Sequence, residues 1–267
     1  MISSHRAKKS LGQNFLIDPN LQRKIVSSLE AGPGDEVLEI GPGLGALTDH
    51  LEGMVGRLVL LELDDDLASR LQQRFAGRSD VAVVHGDVLQ VDLEPCVRDP
   101  GELLVIGNIP YNITTPILFH LLERPRPRRI VLMVQDDVAE RITAPVGTRA
   151  YGALSVGVRS VASVDRLFGV GRRSFRPVPR VDSAIIRIDP FRPERTSAAE
   201  EERLRGVVRA AFQWRRKQLG KILRDHPDIM ASDDVAAAAV GAAGVELTDR
   251  PERVSPEAFV RLAAALG

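Results

Sequence analysis

Up to about residue 190, short apolar runs alternate with segments whose apolar residues recur at helical spacing. Such runs predict buried strands, here at residues 35–41, 57–64, 81–87, 102–108 and 129–135. Strands that alternate with helices predict a mostly parallel sheet with helices on both faces. A later run, "VDSAIIRID", alternates apolar and polar residues, as an antiparallel edge strand does. Before it, "YGALSVGVRSVA" predicts a helix.

The pattern changes in "DPFRPERTSAAEEE", which predicts a linker that ends in an acidic helix start. Only helical patterns follow, at residues 200–224, about 232–243 and 255–266. We therefore predict an α/β protein with two domains. A Rossmann-like domain occupies residues 1–190, and a small all-helical domain occupies residues 191–267.

The composition is that of a folded globular protein, since 44% of the 267 residues are hydrophobic and 27% are charged. No apolar run approaches the roughly 20 residues that span a bilayer, and no apolar signal-peptide core follows the basic N-terminus. The single cysteine, Cys96, excludes an internal disulfide and fits a reducing cytosol. We therefore expect a cytoplasmic protein that does not associate with membranes.

The net charge is zero, but the basic residues are unevenly distributed. Of the 36 lysines and arginines, 20 lie in four windows that contain one acidic residue, Asp182: residues 1–9, 124–129, 172–187 and 203–224. Segregated charge of this kind produces either one positive face or four separate solvated segments, and the sequence leaves both open. The last window has eight basic residues and no acidic one, which favours contacts with phosphates.

A glycine-rich turn, "LEIGPGLGALT", follows the first predicted strand and contains Gly41, Gly43 and Gly45. Glycines at this place let a ligand approach the backbone and the N–H groups of the helix start, although such turns are also common for structural reasons. Glu62 ends the next strand, where an acid holds a ribose diol. Asp87 ends the third, where a carboxylate faces an adenine amino group. Together these strand ends predict a nucleoside site at the carboxyl edge of the sheet.

Two ligands compete for such a site, a nicotinamide dinucleotide and S-adenosylmethionine. The dinucleotide fingerprint is G-x-G-x-x-G, whereas this chain has G-x-G-x-G preceded by Glu39. The observed spacing favours S-adenosylmethionine, because this sulfonium nucleoside has no pyrophosphate that the turn would have to bind.

The fourth predicted strand ends in Asn108-Ile109-Pro110-Tyr111. The exocyclic amine of a nucleobase is a poor nucleophile because its lone pair conjugates with the ring. The side-chain oxygen of Asn108 and the backbone carbonyl of Ile109 are two acceptors that draw such an amine toward tetrahedral geometry. Tyr111 offers a ring on which the base stacks, a contact worth about 1–3 kcal/mol. The motif predicts methyl transfer by positioning and electrostatics, and stacking alone predicts that Tyr111→Phe keeps most activity.

With these motifs the sequence resembles the ribosomal RNA adenine N6-dimethyltransferases over almost the whole chain. Four segments are similar to the family's cofactor and catalytic motifs in their order: "EIGPGLG", "LELD", "GDVL" and "GNIPYNITTPI". Four more are similar to its other segments: "KKSLGQNFLID", "FRPVPRVDSAIIRI", "AFQWRRKQLGKIL" and "RPERVSPEAFVRLAAAL". Within the family the chain is most similar to the small-subunit branch, the kasugamycin-sensitivity proteins, which dimethylate two adjacent adenines near the 3′ end of 16S RNA.

The resemblance implies that residues 1–190 form a class I methyltransferase sheet that binds S-adenosylmethionine, and that residues 191–267 bind RNA. Carried over position by position, it implies cofactor contacts at six residues: Asn14, Leu16, Gly41, Glu62, Asp87 and Asn108. It implies that Phe175, in the later motif, is a second stacking face. The implied partner is 16S ribosomal RNA within an immature small subunit, and we expect the protein to act as a monomer.

Within the last basic window, we predict phosphate contacts by four side chains: Arg215, Arg216, Lys217 and Lys221. A solvated helix face is the alternative interpretation of these residues. The chain departs from the family after "VLMVQ", where the family usually has a Lys-Glu pair and this chain has Asp136-Asp137. The departure removes a positive charge from a helix start that we expect to face RNA.

Three other functions stay open: a 23S ribosomal RNA adenine N6-methyltransferase that gives macrolide resistance, a non-catalytic RNA-binding assembly or transcription factor, and a DNA adenine methyltransferase. "YGALSVGV" and "RRKQLGKIL" favour the small-subunit enzyme over the first. Intact Gly41, Glu62, Asp87 and Asn108 argue against the second, and the lack of an added target-recognition domain argues against the third. The five histidines show no metal-ligand spacing, so we predict no metal site.

Overall fold

A computed structural model of the protein describes residues 7–8 and 11–267. Most of the basic window 1–9 lies outside the described residues, and so does His5, for which no metal role was predicted. Within the described part of the chain, no helix combines the length and the apolar character needed to cross a membrane.

The chain divides by its contacts into two compact units. The first contains the chain up to Ala139 together with Asp165–Pro190, and the second contains Glu140–Val164 together with Phe191–Gly267. One boundary between the two units lies after Pro190, where the sequence pattern placed the end of the first domain. Residues 140–164, which precede that break in the sequence, pack with the second unit because Tyr151 and its neighbours belong to that unit's core.

A seven-stranded sheet forms the centre of the first unit. The described residues form strands with these bounds: β1 Phe15–Leu16, β2 Glu36–Ile40, β3 Arg57–Glu62, β4 Val81–His85, β5 Leu104–Asn108, β6 Arg129–Gln135, β7 Ala162–Val170, β8 Phe175–Arg176 and β9 Ser183–Pro190. The order in the large sheet is β4-β3-β2-β5-β6-β9-β7. Strands β2 to β6 are parallel, and β9 is antiparallel to β6. The predicted α/β fold class and its five parallel strands are confirmed.

The sheet differs from the sequence prediction at its antiparallel end. We predicted a helix over residues 151–162 and no strand after it, whereas β7 begins at Ala162. Strand β9 was predicted to lie at the edge, but β7 occupies the edge and β9 lies between β6 and β7. The sequence of β7 gives no clear strand pattern, because two exposed charged residues, Asp165 and Arg166, lie at its centre between two buried ends.

The described helices up to residue 143 have the following bounds: α1 Pro19–Ser27, α2 Thr48–Leu51, α3 Asp65–Arg74, α4 Thr114–Leu121 and α5 Asp136–Thr143. Helices α1 to α4 belong to the first unit, and α5 crosses the boundary after Ala139. Asp18 and Asp64 cap α1 and α3, because each carboxylate accepts hydrogen bonds from two backbone N–H groups of the first turn. Helix α2 has only 4 residues.

A small sheet of β1 and β8 ties the N-terminal segment to the first unit. The two strands are antiparallel, with Leu16 opposite Phe175. Both side chains are buried in the core of the unit, beside Ile25 and Val26 of α1. Burial of these apolar groups holds the segment that precedes α1 against the end of the large sheet.

Helices form the second unit, and those described have these bounds: α6 Ala153–Arg159, α7 Ala198–Gln213, α8 Leu219–Asp225, α9 Asp233–Ala243 and α10 Pro256–Ala265. The continuous helix pattern predicted over 200–224 is broken between α7 and α8. The backbone N–H groups of Leu219 and Gly220 bond to Asp249 and Leu247 carbonyls at 2.8 Å instead of continuing α7. A Cβ on Gly220 would lie 3.2 Å from the Leu247 side chain, so a larger residue there would require Leu247 to shift by a few tenths of an ångström.

Candidate active site

A cavity in the first unit lies at the carboxyl ends of β2, β3, β4 and β5. Most of the predicted ligand-binding and catalytic residues line it: Asn14, Leu16, Gly41, Gly43, Glu62, Asp87, Asn108, Ile109, Pro110 and Tyr111. Parallel strands bring their carboxyl ends to one edge of a sheet, and this places residues from distant parts of the chain around one cavity.

The glycine-rich turn after β2 requires glycine at particular positions. Gly41 and Gly43 have φ of 67° and 60°, in the left-handed region. A Cβ on Gly43 would lie 3.2 Å from the ring of Phe15, a cavity-lining residue that the sequence analysis did not identify. Gly45 lies outside the cavity lining, and its Cβ position is 3.1 Å from the Asp49 carboxylate. A ligand contact at Gly45 therefore stays a prediction.

Glu62 is held in place by the backbone on both sides of its carboxylate. One oxygen accepts a hydrogen bond from the Gly43 N–H and the other from the Asp64 N–H, each at 2.9 Å. The residue is only 5% exposed. Burial raises the pKa of Glu62, and the two N–H donors act against that rise. Its orientation is fixed before any ligand binds.

Asp64 connects the N-terminal segment to the same loop. Its carboxylate accepts hydrogen bonds of 2.8 Å from Lys8 Nζ and Gln13 Nε2. Burial raises the pKa of Asp64, but the Lys8 and Gln13 donors outweigh that effect and leave it lowered. The sequence analysis missed these contacts, because partners more than fifty positions apart leave no local pattern.

Carboxyl groups determine the charge of the cavity. Glu39, Glu62 and Asp87 line it, and no lysine, arginine or histidine is among the described residues of the lining. Glu39 is 1% exposed and accepts a 2.7 Å hydrogen bond from the Thr48 hydroxyl. Burial raises the pKa of Glu39 to about 8, and the charge of Glu62 adds to the rise. This lining disfavours a pyrophosphate and fits a ligand with positive charge and no phosphate.

Asp87 follows β4 and is half-buried at the cavity wall. Its carboxylate accepts a 3.0 Å hydrogen bond from the Leu89 N–H. The preceding residue, Gly86, donates its N–H to the Glu62 carbonyl at 3.0 Å. This bond keeps the loop that carries Asp87 beside the end of β3.

Asn108 lies at the end of β5 and donates its side-chain Nδ2 to the Asn14 carbonyl at 2.9 Å. Because the oxygen and nitrogen of the planar amide lie on opposite sides of the Cβ–Cγ bond, its Oδ1 is directed away from Asn14. The side chain of Ile109 is buried, and Pro110, at φ −59° and ψ 135°, begins the short 3₁₀ turn Tyr111–Ile113. The turn places the backbone of the motif at the cavity.

Tyr111 is half-buried, and its hydroxyl lies 2.6 Å from the Ser183 Oγ. Ser183 is the first residue of β9 and is 1% exposed. Burial raises the pKa of Tyr111, the Ser183 hydrogen bond acts against the rise, and the negative charge of Asp182 adds to it. The phenol is therefore protonated at neutral pH. Ser183 was not among the predicted site residues.

Phe175 does not occupy the position that a second stacking face requires. Its ring is 0% exposed and packs in the core opposite Leu16, and it is not among the described residues that line the cavity. The buried apolar ring holds β8 against β1. Stacking by Phe175 stays a prediction that requires the ring to leave this core.

Ion pairs neutralise two arginines of one basic window and one arginine of another. In window 124–129, Arg128 pairs with Asp35 at 2.6 Å and Arg129 pairs with Asp189 at 2.6 Å, while the buried Arg126 donates to the Leu122 carbonyl. In window 172–187, Arg187 pairs with Asp165 at 2.9 Å. The acids lie outside the windows, so a count of charges along the chain overstates the positive surface.

The four residues predicted to contact RNA phosphates line one cleft of the second unit, together with Trp214. Arg215 donates to the carbonyls of Thr148 and Arg149 at 3.2 and 3.0 Å, and Lys221 pairs with Asp225 at 2.7 Å. Arg216 and Lys217 are exposed. The geometry therefore separates Arg216 and Lys217 from Lys221, whose exposed charge is paired with Asp225, and from Arg215, which holds a loop within the unit.

The aspartate pair that departs from the family pattern begins α5. Asp136 pairs with Arg166 at 2.6 Å, and its backbone N–H donates to the Asp182 carbonyl at 3.1 Å. The acid at this helix start is compensated by an arginine of β7. In the part of the chain that the structure describes, no group of three or more His, Cys, Asp or Glu side chains is placed to hold a metal ion.

Comparison with known proteins identifies close relatives over the full length. The family model described as ribosomal RNA adenine dimethylase matches residues 4–261. The ribosomal RNA small subunit methyltransferase A of Pseudomonas fluorescens strain Pf-5 is 43% identical over 263 residues, which cover 98% of this chain and 94% of the relative. The protein of the same name from Aromatoleum aromaticum strain EbN1 is 44% identical over 228 residues, covering 85% and 84%.

Two solved structures share the fold along most of the chain. The 23S rRNA methyltransferase ErmE is 30% identical with a TM-score of 0.73, and the match covers 95% of this chain and 99% of ErmE. A dimethyladenosine transferase from Plasmodium falciparum is 25% identical with a TM-score of 0.79, and the match covers 93% and 95%.

Proposed function

This chain belongs to the ribosomal RNA adenine dimethylase family, and from that premise we propose that it dimethylates N6 of two adjacent adenines near the 3′ end of 16S ribosomal RNA. As a member of this family it is an S-adenosylmethionine-dependent methyltransferase. We propose that its substrate is the RNA within an immature small subunit, and that it acts on this particle as a monomer in the cytoplasm.

One observation carries the proposal: the Asn108–Tyr111 segment and three carboxyl groups line the same cavity. The segment supplies acceptors and a ring for a flat base. Glu62 and Asp87 supply a negative environment for a cationic cofactor, and the described lining holds no cation that would favour a phosphate. An adenine and S-adenosylmethionine are the pair of ligands that fits both halves of this lining.

The motif acts on the adenine amine through two acceptors. Asn108 Oδ1, on the opposite side of the amide from its bond to Asn14, accepts one amine proton. The carbonyl of Ile109 accepts the other, and Pro110 limits the backbone rotation that would move it. Two acceptors on its protons favour tetrahedral nitrogen, whose lone pair is free of the ring. The nitrogen becomes acidic once it is alkylated, so its proton leaves without a strong base.

The cofactor side of the cavity is formed by fixed carboxylates. S-adenosylmethionine, when bound, supplies the methyl group on a positively charged sulfur. Glu62 would hold the ribose hydroxyls, because its orientation is set by the Gly43 and Asp64 N–H groups. Asp87 would accept a hydrogen bond from the adenine amine of the cofactor.

Glu62→Ala is expected to weaken S-adenosylmethionine binding by about 1–3 kcal/mol, the scale of a hydrogen bond to a charged group. The loss also frees the N–H of Gly43, which now donates to Glu62. Isothermal titration calorimetry measures the affinity, with circular dichroism as a check of folding. The matched control is Glu94→Ala, since Glu94 is exposed and lies outside the described lining. Unchanged affinity in folded Glu62→Ala would remove Glu62 from the site.

We propose that the second unit contacts RNA phosphates through the exposed cations at the start of the α7–α8 connection. Arg216 and Lys217 are exposed in a cleft of this unit and are the strongest candidates. Arg215 and Lys221 have protein partners, so their phosphate contacts would compete with bonds already present. The proposal therefore ranks Arg216 and Lys217 above the other two.

Reversal of charge at both Arg216 and Lys217 is expected to weaken RNA binding and to flatten its salt dependence. Each lost phosphate contact lowers the log–log slope by roughly one unit. Filter binding of the small-subunit particle over a series of salt concentrations measures the slope. Reversal at Arg23 and Arg70, two exposed residues of the first unit, changes net charge equally and serves as the control. If both double variants gave the same salt-dependence slope, the change would be due to net charge alone, and the proposed phosphate contacts of Arg216 and Lys217 would be wrong.

Methyl transfer to three substrates side by side tests the proposed function. Radiolabelled S-adenosylmethionine is incubated with immature small subunits, large subunits and duplex DNA, and the modified nucleotides are identified by mass spectrometry. We expect N6,N6-dimethyladenosine in 16S RNA of the small subunits alone. Modification of 23S RNA would instead favour the macrolide-resistance activity, and binding without transfer would favour an assembly factor.

A further inference from the structure

The ring of Tyr111 is anchored at its far end by a residue of a different strand. Its hydroxyl lies 2.6 Å from Ser183 Oγ, a short distance for a hydroxyl pair. Ser183 is 1% exposed and is paired with Gln135 in the ladder between β6 and β9. No function has been assigned to Ser183 by the motifs or by the cavity lining above.

We propose that Ser183 is a positioning residue that fixes the Tyr111 ring as a stacking face for the target adenine. The Cβ and the hydroxyl oxygen of tyrosine both lie on the long axis of the ring. With both ends held, the ring axis no longer swings between χ1 rotamers, and only rotation about the axis itself remains. Packing of the half-buried ring against its neighbours then restricts that rotation.

The anchor is itself rigid, because the chain on both sides of it is held. Asp182 accepts a hydrogen bond from the Arg172 N–H at its carboxylate and from the Asp136 N–H at its carbonyl, at 2.8 and 3.1 Å. On the other side, β9 continues in the sheet with Ala184 and Ile185 fully buried. The Ser183 hydroxyl is therefore held at a fixed position in the sheet, where it bonds to the hydroxyl end of the Tyr111 ring.

The hydrogen bond between the Tyr111 hydroxyl and Ser183 Oγ, here called the tether, changes the expected effect of removing the hydroxyl. A ring that acts only through its face would work equally well as phenylalanine. A ring whose direction is set by Ser183 is ordered before the base arrives, so the entropy of ordering is not lost again in the methylation complex. Loss of the tether would lower the rate at a saturated site, while the cofactor and the RNA backbone would bind as before.

The inference rests on the proposed function, and one set of measurements keeps the two apart. Wild-type protein, Ser183→Ala, Tyr111→Phe and the double variant are compared in single-turnover methylation of small-subunit particles, with particle and cofactor saturating. Each single variant is expected to lose about three- to tenfold in rate, the effect of one hydrogen bond. The double variant is expected to lose no more than either one, because both remove the same bond.

Three comparisons separate positioning from a general structural effect. Ser183→Thr keeps the hydroxyl and is expected to restore the rate. Ser160→Ala removes a serine that is also buried, at 5% exposure, but bonds within its own segment to the Gly157 carbonyl, and it is expected to leave the rate unchanged. Apparent KM for the particle and cofactor affinity are expected to stay at wild-type values in every variant.

Carbon-13 NMR detects the hydrogen bond between Tyr111 and Ser183 independently of enzyme activity. The chain has two tyrosines, so protein labelled with carbon-13 at the tyrosine Cζ gives two signals, which Tyr111→Phe assigns. Ser183→Ala is expected to shift the Tyr111 signal. The Tyr151 signal is the internal reference, because its hydroxyl donates to the Val254 carbonyl.

Full single-turnover rates in Ser183→Ala or in Tyr111→Phe would overturn the inference while leaving the proposed function intact. Multiplied losses in the double variant would also overturn it, because the two residues would then act independently. Absence of methyl transfer by the wild-type protein would instead overturn the proposed function.

Discussion

Asn108→Ala is expected to lower the rate of methyl transfer by about a hundred- to a thousandfold, which is the effect of removing one preorganised polar group from a reacting centre. The substitution removes the Oδ1 that would accept a proton of the adenine amine. It also removes the Nδ2 that bonds to the Asn14 carbonyl at 2.9 Å, so cofactor affinity should fall by about fivefold as well. Single-turnover rates at saturating cofactor isolate the first effect.

The control for this prediction is Asn112→Ala, which removes an exposed amide from the same turn. It is expected to keep the wild-type rate. If Asn108→Ala transferred methyl groups at the wild-type rate once cofactor was saturating, the amide would serve only to hold Asn14, and the acceptor mechanism would be wrong.

Glu39→Gln is expected to remove most of the fall in the free energy of unfolding that the unliganded protein shows between about pH 4.5 and pH 8. Burial raises the pKa of Glu39 to about 8 from an ordinary value of 4.5. Protonated Glu39 contributes to the free energy of unfolding fully below about pH 4.5, and this contribution is lost as the pH rises through about 8. Over that range the free energy of unfolding should fall by about 3–5 kcal/mol in the wild-type protein.

Glutamine keeps an acceptor for the Thr48 hydroxyl, which now donates to Glu39 at 2.7 Å, and it does not ionise. Urea unfolding at a series of pH values measures how the free energy of unfolding depends on pH, and Glu94→Gln, at an exposed position, is the control. In Glu39→Gln the free energy of unfolding should still fall slightly as the pH rises, since burial also raises the pKa of Glu62. An equal decline in wild-type protein and Glu39→Gln would show that Glu39 is charged in the folded state.

Much of the fold and of the cavity was predictable because its signals are local. Continuous apolar runs predicted the five parallel strands, since strands covered on both faces must be apolar throughout. The turn with Gly41 and Gly43 follows β2, Glu62 is the last residue of β3, and Asp87 comes two residues after the end of β4. In a parallel sheet, residues that follow strands meet at one edge, so their order along the chain was enough to assemble the site.

Elements without such a signal were missed. Strand β7 carries two exposed charged residues at its centre, Asp165 and Arg166, and was not distinguished from the helix before it. The two-residue strands β1 and β8 are too short for any periodic pattern. The break between α7 and α8 depends on backbone bonds from Leu219 and Gly220 to a segment about thirty residues later, while the side-chain pattern continues through it.

The sequence by itself therefore determined the α/β class, the strand ends that carry the cavity and the motif at Asn108–Tyr111. Only the tertiary structure decided that Arg129 is paired with Asp189, that Phe175 is in the core and that Ser183 holds the Tyr111 hydroxyl. The reason is physical: periodicity and turn chemistry act between neighbours in the chain, whereas the charge, exposure and hydrogen bonds of a side chain depend on partners that folding brings from distant positions.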